Sequence, residues 1–147
     1  VTDSGFSHLD AAGAAHMVDV SGKDISVRTA RASGRVIVSA EVVRLLRAGE
    51  IPKGDALAVA RIAGIQGAKR TPELIPLCHP IALHAVSVEL VVTDDHVAIT
   101  SEVRTADRTG VEMEALTAVT VAALALIDMV KSVDPGATID AVRVEAK

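Results

Sequence analysis

The chain has 147 residues, about half of them hydrophobic and under a quarter charged, with a net charge of −4 and a single cysteine. That length fits one domain burying roughly two thirds of the surface its unfolded chain exposes, and one cysteine excludes an internal disulfide framework. Phe6 is the only aromatic residue, which argues against a base-stacking nucleic-acid platform, and an acidic chain must meet any polyanionic ligand with a local cluster of Lys and Arg.

Residues 1–33, rich in Gly, Ser and Asp without a sustained period, read as an arm over a core formed by 34–147 of the same domain. "RVIV" at 35–38 predicts a short strand. Ser39 can cap a helix through Ala48 that ends at Gly49 and Pro52. After the Pro52-Lys53-Gly54 turn, Asp55 can cap a second helix through about Lys69. "HAVSVELVVT" alternates, with Val86, Val88, Leu90 and Val92 on one face. An Asp94-Asp95 turn and "HVAITSEV" complete a hairpin. A long helix over about 111–133 is broken by Pro135-Gly136 before a last strand, "TIDAVRVE". The order strand, helix, strand, strand, helix, strand predicts an α+β fold: the ferredoxin-like βαββαβ pattern, an antiparallel sheet with helices packed on one face.

Residues 115–127 carry no charge, and Ala60, Gly64 and Ala68 form a smooth strip at helical spacing. Two readings stand, a helix buried within one subunit or a face covered by a partner chain. The small size of the domain favours the second, hence a homo-oligomer. The start of the sequence lacks a signal-peptide pattern and no apolar stretch reaches about 18 residues, so the expectation is a cytoplasmic protein without a membrane partner.

Four clusters can carry chemistry. In "LIPLCHPI", Cys78 and His79 point in different directions and have no second pair at ligand spacing, so no metal site is expected; Pro76 and Pro80 make a stiff loop suited to binding. In "DMVK", Asp128 and Lys131 share a helix face. At the end of an uncharged helix they are expected at the edge of an apolar pocket, where the lysine loses hydration and becomes an acid-base group. In "DRTGVEMEA", Glu112 and Glu114 either serve the helix macrodipole or accept hydrogen bonds from a guanine-like heterocycle with Met113 on its face. In "IPKGDA", Lys53 beside a helix start suits phosphate.

Taken together, "HMVDVSGK", "PKGDALAVARIAGIQGAKRTPELIPLCHP", "DRTGVEMEALTAVTVAALALIDMVKSVDPG" and "VRVEAK" closely resemble the MoaC family of molybdenum cofactor biosynthesis, from about residue 8 to residue 147. The resemblance implies a ferredoxin-like subunit, a homohexamer built as a trimer of dimers, and a lyase reaction. That reaction converts a 3',8-cyclised dihydro-GTP to cyclic pyranopterin monophosphate and pyrophosphate. By position, Asp128 and Lys131 match the family's catalytic pair and Lys53 its other essential lysine. Leu77, Cys78, His79, Glu112, Met113 and Glu114 match substrate-binding stretches, and His16, Arg28, Arg108 and Lys147 match further polar or basic pocket positions. No resident cofactor is implied, with Mg²⁺ a candidate companion of the substrate triphosphate. Ile127 departs from the family pattern, standing where many relatives have Tyr, and the family's Gly-Gly basic tail would lie past Lys147. The rival readings are a catalytically weak paralogue and a non-catalytic ferredoxin-like module that binds a small nucleotide.

On a continuous helix, Glu114 and Asp128 are separated by roughly 21 Å, at about 1.5 Å per residue. One small substrate cannot easily be gripped at both ends, so the site is expected to be shared between two chains unless "GVEME" folds back as a loop.

Overall fold

A computed structural model of the chain describes residues 7–147; Phe6 and the rest of the first six residues, part of the expected arm, lie outside them. Strand β1 (Ser26–Ile37) is followed by helices α1 (Ala40–Ala48), α2 (Ala56–Lys69) and the short α3 (Thr71–Leu74). Then come β2 (Ala85–Val92), β3 (His96–Asp107), α4 (Glu112–Val130) and β4 (Thr138–Ala146). The sheet order is β2-β3-β1-β4 with every neighbouring pair antiparallel, as the ferredoxin-like pattern predicts.

The local signals act as the sequence suggests. Ser39 accepts a hydrogen bond from the backbone N–H of Val42, Gly49 ends α1 in the left-handed conformation, and Asp55 accepts from the N–H of Ala58 to start α2. The Thr93 N–H donates to the His96 carbonyl at 2.8 Å, closing the hairpin around Asp94 and Asp95. The short strand expected at 35–38 is the end of a twelve-residue strand that begins at Ser26, inside the expected arm. Its inward positions Ala30, Ala32 and Gly34 are too small to announce a strand by apolar alternation. They are small because α4 lies over them: a Cβ on Gly34 would come 2.8 Å from Val119 Cγ1.

Against the expectation from sequence, α4 is by length and composition apolar enough to cross a membrane. It is instead the core helix, with ten residues buried, among them Ala118, Val119, Ala122 and Leu126. They pack on Ile99 and Val103 of β3 and Val36 of β1, all fully buried. The smooth strip of α2 faces this same helix. A Cβ on Gly64 would lie 2.8 Å from the Ala118 carbonyl oxygen, and one on Gly67 2.8 Å from Val121. Ala60 and Ala68 are buried within the chain. The strip therefore serves α2–α4 packing rather than a partner chain, because two helices approach this closely only where neither projects a large side chain. Leu124 of α4 with Val59 and Ile62 of α2 remain exposed.

Candidate active site

Two groups of the expected residues assemble, at opposite ends of α4. At its N-terminus, Val111 is fully buried and anchors the start of the helix, so "GVEME" begins the helix and does not fold back. Facing it is the loop after α3, held by the Cys78 N–H bonded to the Ile75 carbonyl at 3.1 Å. Between them lies a cavity of about 470 Å³ that Leu77, Cys78, His79, Glu112, Met113 and Glu114 all line. Val18, Val20 and Lys23 of the N-terminal segment close another side. The His79 Nε2–H donates to the Val18 carbonyl at 2.6 Å and ties that segment to the loop.

Glu114 is 3% exposed, and burial raises its carboxyl above the ordinary glutamate range, with the Glu112 charge pushing the same way. Burial likewise raises the Cys78 thiol, and Glu114 adds to the effect. Cys78 is therefore held as a neutral thiol that lines the wall, rather than as a nucleophilic thiolate. Glu112 also borders a second hollow of about 390 Å³ with Arg28 and Lys147. Lys147 Nζ is 3.5 Å from Glu112 Oε1, and the Arg28 guanidinium donates to the Asp107 carbonyl at 3.1 Å. Arg108 donates to the Lys23 carbonyl at 2.9 Å and borders a third hollow with His79. The first hollow shares Gly110 and Glu112 with the second, and His79 and Thr109 with the third. His16 is exposed in the N-terminal segment, where its N–H bonds the His8 carbonyl, and does not line them.

At the C-terminal end of α4, two lysines from separate elements meet one carboxylate. Lys131 Nζ donates to Asp128 Oδ1 at 2.6 Å. Lys53, on the linker between α1 and α2, donates to Asp128 Oδ2 at 3.2 Å and to the Asp128 carbonyl at 3.0 Å. Hydrogen bonds from Lys131 and then Lys53 hold the Asp128 carboxyl below the usual aspartate range. The apolar pocket expected around this pair does not form among the described residues: Lys131 is 57% and Lys53 42% exposed, because the pair lies on the outward face of an α4 end whose Met129 and Val130 turn into the core. Ile127, beside Asp128, packs partly against the core.

Lys23, the one lysine or arginine on the cavity wall among the described residues, was not singled out from the sequence. It lies in "HMVDVSGK", a stretch without periodicity, and the motif itself was its only signal. Among the described residues, no three His, Cys, Asp or Glu side chains group as metal ligands.

The MoaC family model matches residues 17–147. A cyclic pyranopterin monophosphate synthase of Streptomyces coelicolor is 69% identical over 141 residues, covering 96% of this chain and 83% of that protein. One from Streptomyces griseus is 67% identical over 146 residues, 99% of this chain and 82% of that protein. The cyclic pyranopterin monophosphate synthase 2 of Mycobacterium tuberculosis is 60% identical over 138 residues, 94% of this chain and 83% of that protein. With a family model spanning nearly all the described residues and relatives this similar over most of both chains, the chain belongs to the MoaC family.

Proposed function

We infer that the chain catalyses the cyclic pyranopterin monophosphate synthase reaction of molybdenum cofactor biosynthesis. In this lyase reaction (8S)-3',8-cyclo-7,8-dihydroguanosine 5'-triphosphate gives cyclic pyranopterin monophosphate and pyrophosphate. The observation that carries the assignment of roles is the convergence of Lys53 and Lys131 on Asp128. Ring opening and pyran formation need proton transfers, and an ammonium paired with a carboxylate gives and takes protons when the substrate reorders the pair. In cyclising the phosphate, a substrate hydroxyl oxygen bonds the α-phosphorus, the bond from that phosphorus to the bridging oxygen breaks, and pyrophosphate departs. The hydroxyl proton passes to a base of the trio. Lys53 and Lys131 offset the charge that gathers on the leaving group, and in-line placement supplies much of the remaining acceleration.

The heterocycle belongs in the cavity of Cys78, His79, Met113 and Glu114, with Arg28, Arg108 and Lys147 as cations at its border. Because α4 runs unbroken from Glu112 to Val130, this cavity and Asp128 of the same chain stand roughly 20 Å apart, at about 1.5 Å per residue. One reaction centre therefore combines the cavity of one subunit with the Lys53–Asp128–Lys131 trio of its neighbour. The subunit that contributes the cavity also covers these lysines and supplies the desolvation that one chain lacks. The assembly is a homohexamer, a trimer of dimers, in the cytoplasm, with Mg²⁺ entering on the triphosphate. The test is pyrophosphate release from the cyclised substrate by the purified chain. Turnover that Asp128→Asn abolishes is the expected result, and binding without turnover in the parent protein would contradict the assignment.

A further inference from the structure

Lys53 has no helix or strand to aim it. It sits in the exposed linker of residues 49–55, between α1 and α2, yet its ammonium reaches two oxygens of Asp128. The linker is fixed on both sides of it. Ile51 is buried, and the Gly54 N–H donates to its carbonyl at 3.0 Å, closing a four-residue turn around Pro52 and Lys53. Asp55, directly after, caps α2 by accepting from the Ala58 N–H at 3.0 Å.

Gly54 joins these two anchors with φ +110°, a conformation that L side chains rarely adopt, although a Cβ there would meet nothing within 4 Å. Space does not demand glycine at this position. Backbone handedness does. We propose that Gly54 is a positioning residue for the reaction: its left-handed φ holds the turn that delivers the Lys53 ammonium to Asp128. The proposal rests on the role given to Lys53 under the proposed function.

An L-alanine at position 54 relieves its strain by rotating to negative φ. That rotation swings the peptide joining it to Lys53 while leaving Ile51 and α2 in place. Gly49 provides an internal comparison. It lies in the same linker, with φ +70° and equally open space, but it ends α1 and is not bonded to Lys53.

The experiment measures kcat, KM and melting temperature for Gly54→Ala, Gly54→Asn, Gly49→Ala and Lys53→Ala. A displacement of about 1 Å at a reacting group costs on the order of a hundredfold, so Gly54→Ala should lose roughly that much in kcat with KM changed less than about threefold. Asn tolerates positive φ better than Ala, so Gly54→Asn should retain an intermediate kcat, and it carries the test if the alanine variant does not fold. Gly49→Ala should lower the melting temperature and leave kcat within about twofold, because strain at α1 leaves the Lys53 turn intact. Near-parental kcat in the Gly54 variants alongside an inactive Lys53→Ala would overturn the proposal. So would an equal kcat loss in Gly49→Ala, which would mark a generally loosened linker. Normal turnover by Lys53→Ala would instead overturn the assignment of Lys53 itself.

Discussion

The Lys53 ammonium lies 3.0 Å from the carbonyl oxygen of Asp128, so a side chain from the α1–α2 linker satisfies one of the last carbonyls of α4. The same ammonium, with that of Lys131, holds the Asp128 carboxyl ionised. A depressed carboxyl pKa favours the folded state above the ordinary aspartate range, and the contribution is lost as pH falls through the lowered value. The trio therefore stays intact across neutral pH. Lys53→Ala and Lys131→Ala should each lower turnover by roughly 10²–10⁴-fold, the usual weight of a positioned acid-base group. All three side chains are about half exposed within one chain and none is part of its core, so the chain should stay folded and the melting temperature change little. Pyrophosphate release and thermal unfolding on the same samples check both halves, and near-normal turnover in either variant would remove its assigned role.

Glu114 gives a stability signature of opposite sign. Burial raises its carboxyl pKa, so the folded protein holds the proton more tightly than the unfolded chain does. The cost is absent below the unfolded carboxyl range and grows as pH rises through the raised value. Glu114→Gln removes that cost. It should raise the melting temperature near about pH 8 and leave it unchanged near about pH 3, well below the ordinary glutamate value, where both states are protonated. Equal shifts at both pH values would show that folding does not raise the proton affinity of this carboxyl.

The α2–α4 contact predicts which substitutions unfold the chain and which separate subunits. Gly64→Ala places a methyl group against the Ala118 carbonyl, which is backbone and cannot swing away, so stability should fall by about 1–3 kcal/mol despite the better helix propensity of Ala. Ala122 is fully buried in its own chain, and Ala122→Glu should unfold it by burying an unpaired charge. Leu124 is 55% exposed; Leu124→Glu should leave each chain folded and shift sedimentation from an oligomer toward a single chain. Sedimentation of the parent protein as one chain would contradict the oligomer.

Much of the fold was legible where side-chain chemistry is local. Ser39, Gly49 and Asp55 marked helix ends, and the alternation of 86–92 and 97–103 marked the hairpin. The part of β1 before residue 35 was hidden because Ala30, Ala32 and Gly34 are small to admit α4, and a face of small residues carries no apolar period. The strip Ala60, Gly64, Ala68 announced close approach without saying to what, since spacing is the same whether the approaching backbone belongs to the same chain. At the site, the facing of the Cys78 loop and Glu114 and the meeting of Lys53 with Asp128 depend on contacts between residues far apart in sequence. Family motifs supplied those residues. The exposure of the trio was not legible, because desolvation depends on what covers the end of a helix.

The most direct measurement of the central claim, that cavity and trio come from different subunits, is complementation between two inactive variants. Glu114→Ala damages the cavity and Asp128→Ala damages the trio, at opposite ends of α4. Co-refolded at equal amounts, random pairing makes about half the dimers mixed, each with one intact and one doubly damaged site. The account predicts that about a quarter of parental pyrophosphate release returns. A mixture as inactive as its two components would show that each site is built within one chain and would contradict the account.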